Sequence, residues 1–160
     1  MERNQAEPQV EELDNIVIRT LSMDDLDGVV RIDEASTQRN RKDFFRRRIR
    51  RTMEESSIHM SLAAELDSMM VGFLTVSLNL GEFGMTDTVA VLDAIGVHPD
   101  YRGRHVAAAL LRQLEMQLRA LHVETLRTEV EWDQWDLLAF LRVARFRPVP
   151  RLCLEKKILG

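Results

Sequence analysis

The stretch YRGRHVAAALL, residues 101–111, decides how this chain folds. A tyrosine, two arginines and a histidine crowd around Gly103, and the chain then enters a run of alanine and leucine. Val106, Leu110, Leu114, Leu118 and Leu121 follow at helical spacing with Arg112, Glu115, Gln117 and Arg119 turned outward, which predicts a long amphipathic helix. Just upstream, TVAVLDAIGV (88–97) is short, apolar and rich in β-formers, and downstream LRTEVEW (126–132) reads as a second strand. A strand, helix, strand step demands a right-handed crossover, so these two strands are expected to be parallel. The turn between the first strand and the helix leaves backbone N–H groups unpaired at the positive end of the helix dipole, the makings of an anion site. Gly103 permits the turn, and Arg102 and Arg104 add positive charge. By composition alone, a plain basic turn into a buried helix reads equally well.

Outward from this segment the pattern stays consistent. NIVIRTL (15–21) is a first strand, and Ser22 to Asp25 has the spacing of a capping box before a helix over about 24–36 that buries Leu26, Val29, Val30 and Ile32. Asn40 to Asp43 repeats the cap signal, and Phe44, Phe45, Ile49 and Met53 form a helical stripe with arginines mostly opposite. HMSLAAEL and MMVGFLTVSL join TVAVLDAIGV as three antiparallel strands, separated by Asp67-Ser68 and by GEFGMTD. DQWDLLAFLRVAR (133–145) predicts a helix, and FRPVP and RLCLEKKIL predict two short closing strands. The expected order is β-α-α-β-β-β-α-β-α-β-β, a mixed α/β fold whose mostly antiparallel sheet contains one parallel pair. Residues 1–14 read as a loose polar tail, and residues 15–160 as a single domain.

Composition narrows the classes. The chain has 160 residues, 45% of them hydrophobic and 30% charged, with one cysteine, which excludes a disulfide scaffold or a zinc cluster and fits a reducing cytoplasm. No apolar run spans a bilayer, and the N-terminus lacks the apolar core of a secretory signal. A net charge of −4 argues against general affinity for nucleic acid. Yet Arg39, Arg41, Lys42, Arg46, Arg47, Arg48, Arg50 and Arg51 stand against Asp43 alone between residues 38 and 52. A solvated helix face is one reading of that run, and a surface for an acidic substrate or RNA is the other. His59, His98, His105 and His122 lack ligand spacing, so no metal site is expected.

A hydrophobic strand, Val-x-Pro-x-Tyr-Arg-Gly, a small-residue helix start and a leucine stripe together resemble the acetyl-CoA-binding segment of the GNAT superfamily of N-acetyltransferases. That segment reads Arg/Gln-x-x-Gly-x-Gly/Ala in the family, and Arg102, Gly103, Arg104, His105, Val106 and Ala107 fill its positions here. The element order is also similar to the family's, across residues 15–158. The resemblance implies that the backbone of Ile95, Gly96 and Val97 bonds the pantetheine arm as an added strand, and that the amides from Arg102 to Ala107 hold the pyrophosphate. Gln134 falls where the family carries a cofactor-contacting asparagine. An amine acceptor of unspecified identity is implied, without nucleic acid or membrane, and the closing strands could build a homodimer.

Three positions depart from the family. His105 replaces the first usual glycine; its β-carbon could crowd the phosphates or its imidazole could donate to one, while the expected backbone contacts are open to any residue with helical dihedrals. Leu141 stands where many relatives carry a tyrosine thought to protonate the leaving thiolate, and Arg145 replaces a glycine before Phe146. Tyr101 reads as a packed turn aromatic.

Acyl transfer to an amine needs a base, since an ammonium cannot attack. Two carboxylates are candidates. Glu129 matches the base of relatives that acetylate protein N-termini, although its strand also reads as a solvated polar face. Asp93 is a charge inside an apolar strand, which a buried arginine or a strand irregularity would also explain. Cys153 is expected to be a small buried residue, and Trp132 and Trp135 to pack at the core or rim or line an acceptor pocket. An acetyl-CoA-dependent N-acetyltransferase is thus the leading expectation. A non-catalytic acyl-CoA-binding domain and a module for RNA or an acidic partner are the alternatives.

Overall fold

The computed structural model describes residues 15–55, 60–80 and 87–159; the expected N-terminal tail, His59 and most of the 81–87 loop lie outside them. Two compact units are present, one ending at Glu129 and the other beginning at Val130.

In the first unit the elements are β1 (Val17–Thr20), a 3-10 turn (Met23–Asp25), α1 (Leu26–Thr37), α2 (Lys42–Glu55), β2 (Leu62–Leu66), β3 (Met69–Leu80), β4 (Thr88–Val97), a second 3-10 turn (Pro99–Tyr101), α3 (Val106–Ala120) and β5 (Thr125–Arg127). The sheet runs β1-β2-β3-β4-β5; its first three pairings are antiparallel and β4 with β5 is parallel, as the crossover rule requires.

Local chemistry starts the helices where the sequence indicates. The Asp25 carboxylate accepts from the Ser22 N–H at 2.8 Å and from the Ser22 hydroxyl at 3.1 Å. The same carboxylate takes both terminal nitrogens of Arg19, at 2.7 and 2.8 Å, tying β1 to the start of α1. Burial pushes the Asp25 pKa up, but these bonds outweigh it and hold the carboxyl below its usual range. Asn40 Oδ1 accepts from the Lys42 N–H at 3.1 Å at the start of α2.

Both faces of the sheet are covered. On one, Val29, Val30 and Ile32 of α1 and Phe45 and Ile49 of α2 pack with Ala63 and Phe73. On the other, α3 buries Val106, Leu110, Leu111, Leu114 and Leu118. Burying each such large side chain contributes about 1.5–3 kcal/mol, so these two layers fix the sheet that carries the site. Phe44 and Met53, read as part of the α2 stripe, are exposed: they flank the buried Phe45–Ile49 line.

The second unit holds α4 (Trp135–Val143), with Leu141 buried. The two expected closing strands are absent among the described residues, 146–159, which carry no ladder. Pro148 and Pro150 remove two N–H donors, and Leu152 and Leu154 of the second expected strand are 88% and 87% exposed.

Candidate active site

β4 pairs with β3 from Thr88 to Val97 at every residue but Asp93, and with β5 only through Val89, Ala90 and Val91 against Thr125, Leu126 and Arg127. Beyond that point the parallel strands separate, and the Thr128 hydroxyl donates to the Leu92 carbonyl at 2.9 Å. The β5-side edge of β4 from Asp93 to Val97 therefore has no strand partner among the described residues, and Ile95, Gly96 and Val97 lie on it. An extended ligand can add to such an edge as a strand does. Gly96 is required by the core behind it: a β-carbon there would sit 2.7 Å from Phe73 Cε1 and 3.2 Å from Ile32 Cγ2.

The edge leads directly into the turn. Within it the Tyr101 and Arg102 N–H groups bond back to His98 and Pro99, and the first helical bond runs from Ala109 to His105. Between them, the amides from Gly103 to Ala108 have no backbone acceptor among the described residues. They gather at the N-terminus of a 15-residue helix, where no side chain caps. Gly103 has φ +77°, and the space where its β-carbon would point is open. This arrangement suits a diphosphate, so the turn and the free β4 edge fit acetyl-CoA.

Two side-chain expectations change. Arg102 donates to the Ser36 hydroxyl at 2.8 Å, and the Arg104 guanidinium lies 5.3 Å over the Tyr101 ring, so both arginines are engaged with neighbouring residues. His105 lacks helical dihedrals; it sits at φ 59°, ψ 18°, in the left-handed region. That is a conformation for which glycine is the default, and it gives the family's glycine its physical reason. Arg145 is the parallel case, at φ 67°.

Asp93 occupies a β-bulge. Thr75 faces Ala94 and Val76 faces Leu92, leaving Asp93 as the extra residue of β4. Its side chain, 8% exposed, has Oδ1 2.8 Å from Arg48 Nη2 of α2 and 3.4 Å from the Ser77 hydroxyl, while Oδ2 is buried without a hydrogen-bond partner. Burial raises the Asp93 pKa above its ordinary value, against the opposing pull of Arg48 and Ser77. Both explanations offered by the sequence, a partner arginine and a strand irregularity, hold here together, and they leave one carboxylate oxygen unpaired. Thr75, fully buried one register step away on β3, also has an unpartnered hydroxyl.

Glu129 lies two residues past the end of β5 and is exposed. Gln134, in the second unit, caps α4 with its backbone; it is exposed and its side chain makes no cap bond. Tyr101 packs in the turn, edge-on to His98 with ring centroids 5.6 Å apart. Cys153, expected to be buried within a closing strand, is exposed on a segment that carries no ladder among the described residues. Trp132 and Trp135 are also exposed. No cluster of metal-ligating side chains exists among the described residues, and none of their helices is long and apolar enough to cross a membrane. Arg48 and Ser77 are the site residues that the sequence did not single out. A basic residue flanking the buried Phe45–Ile49 stripe, set against a lone acid in an apolar strand, was the available signal.

Comparison with known proteins agrees with this geometry. Residues 24–142 match the model of the acetyltransferase (GNAT) family. Solved structures share the fold: an aminoglycoside antibiotic 6'-N-acetyltransferase from Acinetobacter baumannii (TM-score 0.74, 20% identity, 91% of this chain and 99% of that one) is one. An aminoglycoside N-acetyltransferase in complex with CoA is another (0.74, 16%, 90% and 95%). A ribosomal-protein-alanine N-acetyltransferase from Brucella melitensis biovar Abortus 2308 is a third (0.67, 19%, 89% and 99%). No curated protein sequence matches the chain. The free β4 edge, the open turn at the start of α3 and the family match lead to one conclusion: the chain belongs to the GNAT acetyltransferase family, as an acyltransferase whose cosubstrate is acetyl-CoA.

Proposed function

We propose that this chain transfers the acetyl group directly to a primary amine in a ternary complex, with Asp93 as the base. The observation that carries the reading is the β4 bulge: it sets a buried carboxylate with one unpaired oxygen beside the strand edge that fits the pantetheine arm. Bound acetyl-CoA supplies an activated acyl thioester. Ile95, Gly96 and Val97 present backbone groups to its arm, and the amides from Gly103 to Ala107 receive its phosphates, with Arg102 and Arg104 as nearby positive charge. Asp93 accepts the proton of the incoming ammonium at Oδ2, the oxygen that no protein group occupies. Burial raises its pKa, which makes it a stronger base than an ordinary aspartate. Arg48 and Ser77 hold Oδ1 and so orient the carboxylate. Residues 15–160 stand as one acetyltransferase domain, and the family match over residues 24–142 supports this reading.

Glu129 is the lesser candidate because it is exposed beyond its strand. A non-catalytic acyl-CoA-binding role is the competing reading, and Leu141, which puts an alkyl chain where many relatives have a tyrosine, favours it. Thiol detection of CoA release from acetyl-CoA with a panel of primary amines separates the two. Asp93→Asn should lower kcat by about 10²–10⁴, the usual contribution of a positioned acid or base, and Glu129→Gln should leave it within about threefold. The opposite pattern moves the base to Glu129; unchanged rates in both variants remove the carboxylate base from the account.

A further inference from the structure

We infer that the amine accepted by this chain carries an anionic group, a carboxylate or phosphate, near its reactive nitrogen, and that the arginines of α2 receive it. The inference rests on the transfer reading and adds the substrate class. Arg48 marks where the acceptor arrives, because its Nη2 lies 2.8 Å from the carboxylate that takes the proton. The Arg48 side chain is 25% exposed, so part of it can be reached from solvent. The guanidinium stacks 5.7 Å over the Phe44 ring, with Arg41 5.6 Å over the same ring, which keeps both cations along one flank of the helix.

The surrounding charge is not balanced internally. Lys42 pairs with Asp27, Arg46 with Asp43 and Arg41 with Asp33, but the exposed Arg47 and Arg50 have no acidic partner among the described residues. Arg46 with Arg50, and Arg47 with Arg51, are like charges four residues apart, an arrangement that weakens a helix. A merely solvated face would be expected to alternate its signs. In a chain of net charge −4 the positive field is therefore local to α2. That field attracts an anion and repels an acceptor with several ammonium groups. It also disfavours the ammonium form of the reacting nitrogen, the form Asp93 must deprotonate.

The test compares kcat/KM for small amines alike in size: β-alanine and O-phosphoethanolamine as carboxylate and phosphate arms, β-alaninamide as the neutral arm, and ethylenediamine as the dication. The full chain is assayed by CoA release at saturating acetyl-CoA. At least one anionic amine should exceed the neutral one by about tenfold or more, and ethylenediamine should be the poorest. The Arg47→Glu, Arg50→Glu double variant should erase most of that preference through KM, with the affinity for acetyl-CoA unchanged in a thermal-shift titration. Equal rates for the neutral and anionic amines, or preference for ethylenediamine, overturns the inference and leaves acetyl transfer standing. No CoA release with any of the four, while acetyl-CoA still binds, overturns the transfer reading and the inference with it.

Discussion

Replacing His105 by glycine should stabilise the protein, although it removes a side chain. His105 is held at φ 59°, where the β-carbon of an L-residue crowds its own carbonyl at about 1–2 kcal/mol. The exposed imidazole makes no cap bond, so its removal sacrifices no capping interaction. Glycine returns about 0.4–1 kcal/mol of that gain through the greater entropy of its unfolded chain. The balance is about 0.5–1 kcal/mol in favour of the variant, or roughly 1–4 °C in Tm for a chain of this length. His105→Ala keeps the β-carbon and the left-handed backbone and should show no gain. Calorimetric Tm values for the three proteins, measured without and with acetyl-CoA, check both halves of the reasoning. Glycine should also bind acetyl-CoA more tightly, since it clears the approach to the turn amides. A glycine variant less stable than the parent, with the alanine variant its equal, would refute the assignment of strain to this backbone position.

Three further outcomes follow from named contacts. Arg145→Gly, at φ 67° and likewise exposed, should raise Tm by a similar amount, read in the same melts. The acid limb of kcat/KM against pH should rise through the Asp93 pKa, displaced above the ordinary aspartate value, because the base acts only when ionised; Asp93→Asn should flatten that limb. Asp25→Ala should cost about 2–3 kcal/mol at neutral pH, from the lost cap and Arg19 bonds, in denaturant unfolding. The Asp25 pKa is lowered on folding, so its stabilisation is full above the unfolded value and is lost as pH falls through the folded one. The difference between parent and variant should therefore shrink below about pH 4.

The order of elements up to α4 was readable because each signal is local: the leucine stripe of α3, the Ser22–Asp25 cap, and the apolar strands bounded by polar turns. The parallel pairing of β4 with β5 followed from handedness. What escaped depends on pairing across the chain. The bulge that turns Asp93 toward α2 exists only as a mismatch between β3 and β4, and no residue type announces it. β5 stops at Arg127 because the strands separate there, although TEVEW goes on alternating. His105 and Arg145 read as ordinary residues because a left-handed backbone at a non-glycine position leaves no mark in composition. In the turn, the amides were foreseeable from the strand-to-helix step, whereas the destinations of Arg102 and Arg104 required the neighbours, Ser36 and Tyr101.

The central claim is that the β4 edge and the α3 turn together bind acetyl-CoA, and thermal unfolding across an acetyl-CoA titration tests it most directly. At about 100-fold excess over its dissociation constant the ligand should stabilise the fold by about 2.7 kcal/mol, a Tm rise of roughly 5–10 °C. A Tm that stays constant up to millimolar acetyl-CoA would contradict the account.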